Sequence, residues 1–222
     1  MAEIKLLRSR DPFKEAGRRL ARQMWLCHEQ QGAVRLAIPG GSALAALAAA
    51  RKFLDAELWA RTQLTWVDER RVPLEHQDSN RGEAYRQHIL DPGDPPGAEL
   101  PLFLEGEDPA QACRRVEAAL EKDFDGGLDV LLLGMGEDGH IASLFPGCPW
   151  APPPARVELV EHSPKPPSER LSLTQSFLAS APDAVLVVTG EAKREALRRL
   201  LAGDPLLPAS ALPRLVVVTD LN

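Results

Sequence analysis

The residue with the clearest chemical potential is His140, which ends the glycine-rich segment Gly134-Met-Gly-Glu-Asp-Gly-His140. Histidine exchanges a proton near neutral pH, because its unperturbed pKa is about 6.5. Asp138 stands two residues earlier. These two side chains are too few for a zinc site, and the chain has no His-x-His or His-Glu-x-x-His pattern. The segment therefore indicates a general base, with a satisfied core histidine as the alternative.

A second segment, Pro39-Gly-Gly-Ser42, is suited to hold an anion. Two glycines let the backbone turn with its N–H groups inward, and the start of the following helix adds partial positive charge. That combination suits a phosphate group. The segment lacks the lysine of a P-loop and the third glycine of a dinucleotide fingerprint, so it does not indicate a nucleotide. The alternative is a tight turn in which Ser42 caps the helix.

Charged residues follow other predicted strands. Asp68, Glu69 and Arg70 are adjacent; Arg70 could meet an anion or an oxyanion, and Asp68 could orient a neighbour. Lys193 is predicted in the first turn of a helix, where a cation opposes the helix dipole and an anionic ligand would compensate. Arg170 follows a proline-rich stretch and is a further candidate cation. The alternatives are a solvated salt-bridging loop, an exposed lysine and a surface salt bridge.

The elements that must position these residues are short apolar runs. Most runs are nearly continuous, which is typical of strands covered on both faces. Ligands of open parallel sheets bind outside the carboxyl ends of the strands, so the polar segments predict one site at that edge. The predicted strands are residues 34–38, 63–67, 129–133, 184–188 and 215–219, with a weaker candidate at 4–7.

Helices are predicted between the runs. Asp11-Pro12 and Asp108-Pro109 are typical helix starts, with a capping carboxylate followed by proline. Strands that alternate with helices favour βαβ units and a parallel sheet. The proline-rich stretches 148–154 and 163–167 are interpreted as surface loops that flank a possible strand at 157–160. The other predicted helices cover residues 43–53, 79–90 and 191–201.

Composition excludes several classes of protein. The 222 residues are 44% hydrophobic and 26% charged, an ordinary globular balance, and the net charge of −6 argues against nonspecific nucleic-acid binding. No apolar stretch is long enough to cross a membrane. The three cysteines are far apart, and the first residues lack an apolar signal-peptide region. We therefore expect a cytoplasmic protein.

The run Leu133-Gly-Met-Gly-Glu-Asp-Gly-His-Ile-Ala-Ser-Leu-Phe-Pro-Gly147 closely resembles the signature of 6-phosphogluconolactonases. Trp66-Val-Asp-Glu-Arg-Arg-Val-Pro73, Pro39-Gly-Gly-Ser42 and Gly190-Glu-Ala-Lys193 match that family in order and spacing. The resemblance covers nearly the whole chain. It implies a single domain over residues 1–222. The implied fold is α/β: a doubly wound, mostly parallel sheet with helices on both faces, shared with glucosamine-6-phosphate deaminases.

The resemblance also implies an activity. The reaction is hydrolysis of 6-phospho-D-glucono-1,5-lactone to 6-phosphogluconate in the oxidative pentose phosphate pathway, without cofactor or metal. His140 would act as general base on water, and Arg70 would stabilise the oxyanion. Asp68 and Asp138 would position His140 or substrate hydroxyls. The expected phosphate ligands are Gly40, Gly41, Ser42, Arg170 and Lys193.

Two other functions stay open. Ile141 stands where lactonases often carry threonine, which keeps a deaminase-type enzyme in view; however, Ser143-Leu-Phe-Pro146 lacks the acid that deaminases use there. A non-catalytic sugar-phosphate sensor would need the phosphate loop but not a base. We expect a small sugar-phosphate partner, no nucleic acid, no membrane, and a monomer or weak homodimer.

Overall fold

The computed structural model describes residues 3–222; Met1 and Ala2, which the predicted domain and N-terminal segment include, lie outside the described residues. The strands are β1 (Glu3–Arg8), β2 (Val34–Ile38), β3 (Thr62–Trp66), β4 (Asp68–Arg70), β5 (Ala98–Leu100), β6 (Val130–Gly134), β7 (Val157–Val160), β8 (Arg170–Leu173), β9 (Asp183–Val188) and β10 (Arg214–Thr219). The helices are α1 (Pro12–Gln31), α2 (Leu44–Arg51), α3 (Ala56–Ala60), α4 (Asn80–Arg86), α5 (Pro109–Asp123), α6 (Gln175–Leu178) and α7 (Arg194–Leu201). Among these helices, none combines the length and the apolar character that a bilayer crossing needs.

Seven strands form a parallel sheet in the order β1-β10-β9-β6-β2-β3-β5. From β2 the chain runs outward through β3 to β5, then returns to β6 on the other side of β2 and runs outward through β9 to β10. The direction of winding therefore reverses between β2 and β6. At such a reversal a crevice opens outside the carboxyl ends of the two strands. This arrangement confirms the predicted doubly wound, mostly parallel α/β fold.

The apolar runs become strands because both faces of the sheet are covered. Leu131, Leu132 and Leu133 of β6 are fully buried, although their side chains alternate between the two faces. The same holds for Leu36 and Ala37 of β2. The predicted strands are confirmed, each to within one residue of its observed ends.

The helix starts also form as predicted. The Asp11 carboxylate accepts the Lys14 N–H at 3.1 Å, and Asp108 accepts the Ala110 N–H at 2.9 Å. Each proline occupies the first turn, where no intrahelical partner for its nitrogen is needed. Helix α4 is shorter than the predicted 79–90, because the chain turns at His88, whose φ is 53°.

A second, antiparallel sheet of order β4-β8-β7 was not predicted, apart from the strand at 157–160. Strand β4 consists of three charged residues and begins only two residues after β3 ends. It pairs with β8, with Asp68 opposite Ser172 and Arg70 opposite Arg170. Asp68 and Glu69 are 5% and 4% exposed, so the alternative of a solvated salt-bridging loop is wrong.

The first prediction concerns Gly17, where helix α1 touches α2. A Cβ at this position would lie 2.6 Å from Ala49 Cβ and 2.8 Å from Ala46 O. Alanine normally stabilises a helix relative to glycine by about 1 kcal/mol. Here Gly17→Ala should instead lower the free energy of unfolding by about 1–3 kcal/mol through overpacking, measured by urea denaturation. The exposed neighbour variant Arg18→Ala should change it by less than about 0.5 kcal/mol. A more stable Gly17→Ala protein would contradict this packing.

Candidate active site

Loops after several strands line one open cleft of about 390 Å³ beside the carboxyl ends of β2 and β6. All predicted site residues except Asp138 line it, and Asp138 contacts His140, which does. The cleft thus brings together segments that are far apart in the sequence. Its lining comprises Pro39, Gly40, Gly41, Ser42, Ala43, Asp68, Arg70, Asn80, Gly134, Met135, Gly136, Glu137, His140, Ala142, Lys165, Arg170 and Lys193.

His140 is held by a carboxylate. Its Nδ1 lies 2.5 Å from Asp138 Oδ1, and its ring is tilted by 34° against Phe145 with the ring centroids 4.7 Å apart. Because an ionised carboxylate only accepts hydrogen bonds, this contact places a proton on Nδ1. The other ring nitrogen, Nε2, then carries a lone pair that can accept a proton. The carboxylate bonded to His140 is therefore Asp138 rather than Asp68.

The glycines of this loop make room for the pair. A Cβ at Gly136 would lie 2.2 Å from His140 Nδ1 and 2.6 Å from Asp138 Oδ1. Gly139 has a φ of +90°, a conformation that side chains rarely adopt. The Gly136 N–H donates to His140 O at 2.9 Å and closes the loop. The glycine spacing thus lets the imidazole and its carboxylate fold back over the backbone.

Both groups of the pair favour their deprotonated forms. Burial lowers the pKa of His140 below its usual 6.5, and the bond to Asp138 opposes this only in part. Burial raises the pKa of Asp138, but the bond to His140 and the charge of Lys165 outweigh it and hold that pKa below the usual value. At pH 7 the imidazole is therefore neutral and the carboxylate ionised. That is the state in which a histidine can act as a base.

The Pro39–Ser42 segment already binds a negative group. Gly41 has a φ of +67°, and its N–H donates to Glu83 Oε2 at 2.8 Å. Gly40 is required because a Cβ there would lie 1.8 Å from Asn80 Oδ1. Ser42 is exposed and makes no capping hydrogen bond to the short 3-10 turn at 41–43 or to α2, so the alternative of a helix cap is wrong.

Asp68 is a fixed charge in the wall of the cleft. Its carboxylate accepts the Ser143 hydroxyl at 2.6 Å and the Asn80 side-chain amide at 3.2 Å. Arg170 Nη1 lies 3.8 Å from it. A buried carboxylate with this many partners stays in one orientation. It does not hydrogen-bond to His140 in the structure, although its charge raises the pKa of that residue slightly against the effect of burial.

Arg70 reaches into the cleft from β4. One guanidinium nitrogen donates to Asp78 O at 2.8 Å, while the buried Nε finds no hydrogen-bond partner among the described residues. Glu69 fixes the base of this strand, because its carboxylate accepts the N–H groups of Asn80 and Arg81 at 2.8 Å each. A carboxylate at the start of α4 is also favoured by the helix dipole.

Arg170 and Lys193 both line the cleft, but in different states. Arg170 is 3% exposed, and it donates to Lys165 O, Pro166 O and Pro167 O at 2.9–3.1 Å. The alternative of a surface salt bridge is therefore wrong for Arg170. Lys193 ends the 3-10 turn Glu191–Lys193 and is half-buried, and burial lowers its pKa.

Sequence reasoning missed two residues of the cleft that contact its aspartates. Asn80 is 1% exposed and holds both the carboxylate and the backbone carbonyl of Asp68. Lys165 lies in the stretch 163–167, which was predicted only as a surface loop. Its isolated charge between prolines was the available signal. Among residues 3–222, no three His, Cys, Asp or Glu side chains converge as metal ligands would.

Known proteins share this sequence pattern and fold. The family model described as glucosamine-6-phosphate isomerases/6-phosphogluconolactonase matches residues 9–218. The 6-phosphogluconolactonase of Rattus norvegicus is 35% identical over 196 residues, which cover 84% of this chain and 74% of the rat protein. "Probable 6-phosphogluconolactonase 3, chloroplastic" of Oryza sativa subsp. indica is 34% identical over 185 residues, which cover 77% of this chain.

The crystal structure of a 6-phosphogluconolactonase from Shewanella baltica OS155 has the same fold, with a TM-score of 0.81 at 22% identity and coverage of 99% of this chain and 97% of that one. The doubly wound α/β fold thus recurs in this solved structure. The chain belongs to the family of glucosamine-6-phosphate isomerases and 6-phosphogluconolactonases. It spans little more than half of the rice relative, 56% of its length.

The second prediction tests the imidazole–carboxylate pair. The negative charge of Asp138 favours the protonated imidazole, so Asp138→Asn should move the pKa of His140 further below 6.5. The measurement is an NMR titration of the His140 Cε1–H resonance. Asp78→Asn, which removes the carboxylate beside His76, serves as the control and should leave the His140 titration unchanged. An unchanged midpoint in Asp138→Asn would contradict the pairing.

Proposed function

We propose that this protein hydrolyses 6-phospho-D-glucono-1,5-lactone to 6-phosphogluconate, a reaction of the oxidative pentose phosphate pathway. The observation that carries the proposal is that His140, which is paired with Asp138, and the turn at Gly41 line the same cleft. A cleft of about 390 Å³ is large enough for one hexose phosphate. The names of the rat and rice relatives support the same reaction.

The phosphoryl group is the handle that orients the lactone. In this proposal it binds the backbone N–H groups of the Gly40–Ser42 turn and the ammonium of Lys193. Lys193 is half-buried, so its charge is poorly solvated and gains from an anionic ligand. Arg170 contributes mainly by holding the loop at 165–167, because its donors are directed to that backbone. Binding energy from the remote phosphoryl group then positions the lactone carbonyl.

The chemistry needs one base. Nε2 of His140 removes a proton from water while the water oxygen attacks the lactone carbonyl carbon. Negative charge develops on the carbonyl oxygen, and Arg70 stabilises it. The intermediate collapses, the bond from the carbonyl carbon to the ring oxygen breaks, and the imidazolium returns its proton to that oxygen. The acid formed then ionises, and His140 is neutral again.

The two aspartates have separate tasks in this proposal. Asp138 holds the imidazole in the tautomer that leaves Nε2 free, and it stabilises the imidazolium. Asp68 shapes the wall of the cleft and is available to substrate hydroxyls. Removal of either should therefore affect different steps.

Deamination of glucosamine 6-phosphate is the alternative, because the family model describes glucosamine-6-phosphate isomerases together with 6-phosphogluconolactonase. That chemistry needs a second acid–base group near the histidine to open the sugar ring. Ser143 starts the segment where deaminases carry that acid, and its hydroxyl is directed to Asp68 at 2.6 Å. This arrangement favours the lactonase.

The expected setting is part of the proposal. We expect a cytoplasmic enzyme, because Cys27, Cys113 and Cys148 are all free thiols in the structure. A monomer or weak homodimer remains our expectation, with a small sugar phosphate as the partner.

The decisive assay measures acid release from freshly made 6-phosphogluconolactone at slightly acidic pH, where background hydrolysis is slow. Glucosamine 6-phosphate serves as the comparison substrate. Lactone turnover without ammonia release supports the proposal. Ammonia release from glucosamine 6-phosphate would favour the deaminase, and binding of 6-phosphogluconate without any turnover would favour a sensor.

The third prediction concerns the base. His140→Ala should lower kcat by about 10²–10⁴, the range typical of a lost general base, while KM changes little. His88→Asn is the control, since His88 is exposed, lies outside the cleft and has a φ that asparagine tolerates. Full activity of His140→Ala would remove the imidazole from the mechanism.

The fourth prediction concerns the phosphoryl group. Lys193→Ala should raise KM for the phosphorylated lactone by roughly tenfold or more, because a hydrogen bond to a charged group contributes about 1.5–3 kcal/mol. The value of kcat/KM for unphosphorylated gluconolactone should stay the same. The exposed Lys122→Ala variant controls for a general loss of positive charge. Equal losses with both lactones would show that Lys193 does not read the phosphoryl group.

A further inference from the structure

Hydrogen bonds hold the backbone of the loop that carries Lys165 rigidly in place. Arg170, buried beneath it, donates to Lys165 O at 2.9 Å and to Pro166 O at 3.1 Å. The Ser163 hydroxyl accepts the Lys165 N–H at 3.2 Å and donates to Lys165 O at 2.8 Å. Proline on both sides of Lys165 restricts the backbone further. The freedom that remains is in the side chain, which is 45% exposed and lines the cleft.

The Lys165 ammonium competes with His140 for one oxygen atom. Lys165 Nζ lies 3.5 Å from Asp138 Oδ1, the same atom that lies 2.5 Å from His140 Nδ1. A cation there neutralises part of the charge that would otherwise hold a proton on the imidazole. In keeping with this geometry, the charge of Lys165 lowers the pKa of both His140 and Asp138.

Two ammonium groups share the cleft. Lys165 lines the cleft from the proline loop, and Lys193 lines it from the turn after β9. Burial is the main cause of the lowered pKa of Lys193, and the charge of Lys165 lowers that pKa further. A dianionic phosphoryl group between them would relieve this repulsion and gain two charge-assisted hydrogen bonds. The other charged groups that line the cleft around His140 are Asp68, Arg70, Glu137 and Arg170, of which Asp68 and Arg170 lie 3.8 Å apart.

We propose that Lys165 couples phosphoryl binding to the basicity of His140: it pairs with Asp138 in the structure described here, and it turns to the phosphoryl group of a bound ligand. When Lys165 moves away, the Asp138 carboxylate interacts with His140 and no longer with Lys165. The imidazole then holds a proton more strongly, which makes it a stronger base in the complex than in the free protein. Lys165 is thus a positioning residue that acts through Asp138, and this inference rests on the proposed function only for the identity of the substrate.

The experiment is an NMR titration of the His140 Cε1–H resonance in the full chain, with and without saturating sulfate. Sulfate is the probe because it remains a dianion across the pH range. In the wild-type protein the His140 pKa should rise by about one pH unit when sulfate binds. In Lys165→Met it should already be higher without sulfate and should rise less when sulfate is added. Lys165→Arg keeps the charge and should respond like the wild type.

A second background tests the route through Asp138. In Asp138→Asn, the added substitution Lys165→Met should change the His140 pKa much less than it does in the wild type. The proposal is overturned if sulfate does not bind, if Lys165→Met titrates like the wild type, or if sulfate raises the pKa equally in both. The titration needs no turnover, so it separates this inference from the proposed reaction. A protein with the sulfate response but no lactone hydrolysis would refute only the reaction.

Discussion

The reversal of winding between β2 and β6 is the constraint on which the cleft depends. The two strands pair directly, with Leu36 opposite Val130, so the loops that follow them leave the sheet side by side. The two segments lie very close together, since a Cβ added to Gly134 at the end of β6 would lie only 3.2 Å from Ala43 Cβ. Helices that pack on opposite faces leave the space above these strand ends open. A glycine turn and a histidine loop almost one hundred residues apart in the chain therefore face one another.

The wall of the cleft is built from buried charge. The small antiparallel sheet brings Asp68 and Arg170 of the cleft lining out of solvent, together with Glu69, which does not line the cleft, and each is satisfied by several hydrogen bonds. Burial of a charged group destabilises the folded protein unless partners compensate its charge. Removal of one partner therefore leaves the other group buried and uncompensated. Dipoles held in this way do not need to reorganise when a ligand binds. Such preorganisation is the main source of electrostatic stabilisation in enzymes.

The local sequence pattern was sufficient to predict the strands whose apolar side chains are buried on both faces of the sheet. The strands of the parallel sheet other than β5 could be predicted to within one residue, since their continuous apolar runs have no other stable environment. Strand β4 could not, because Asp68, Glu69 and Arg70 become a strand only through pairing with β8, about one hundred residues later. Tertiary pairing overrode local preference there.

The same distinction applies to the site. The glycine framing of His140 and the Gly-Gly-Ser turn are local signals, and the residues they marked line the cleft. Lys165 and Asn80 were missed because their importance lies in contacts with Asp138 and Asp68, which sequence spacing does not reveal. Arg170 was placed at the cleft, but the direction of its donors depends on a loop that folds over it.

The contact between Gly41 and Glu83 means that the glycine turn has an internal competitor. Any incoming anion must displace a carboxylate that α4 holds in place and that Gln87 also contacts, at 2.9 Å. A singly charged ion exchanges one negative group for another of equal charge and gains little. A doubly charged group would also interact with Lys165 and Lys193, which line the cleft, so the exchange would favour it. In the proposed function, Glu83 would therefore favour a doubly charged phosphoryl group over singly charged anions, although it takes no part in the proposed chemistry.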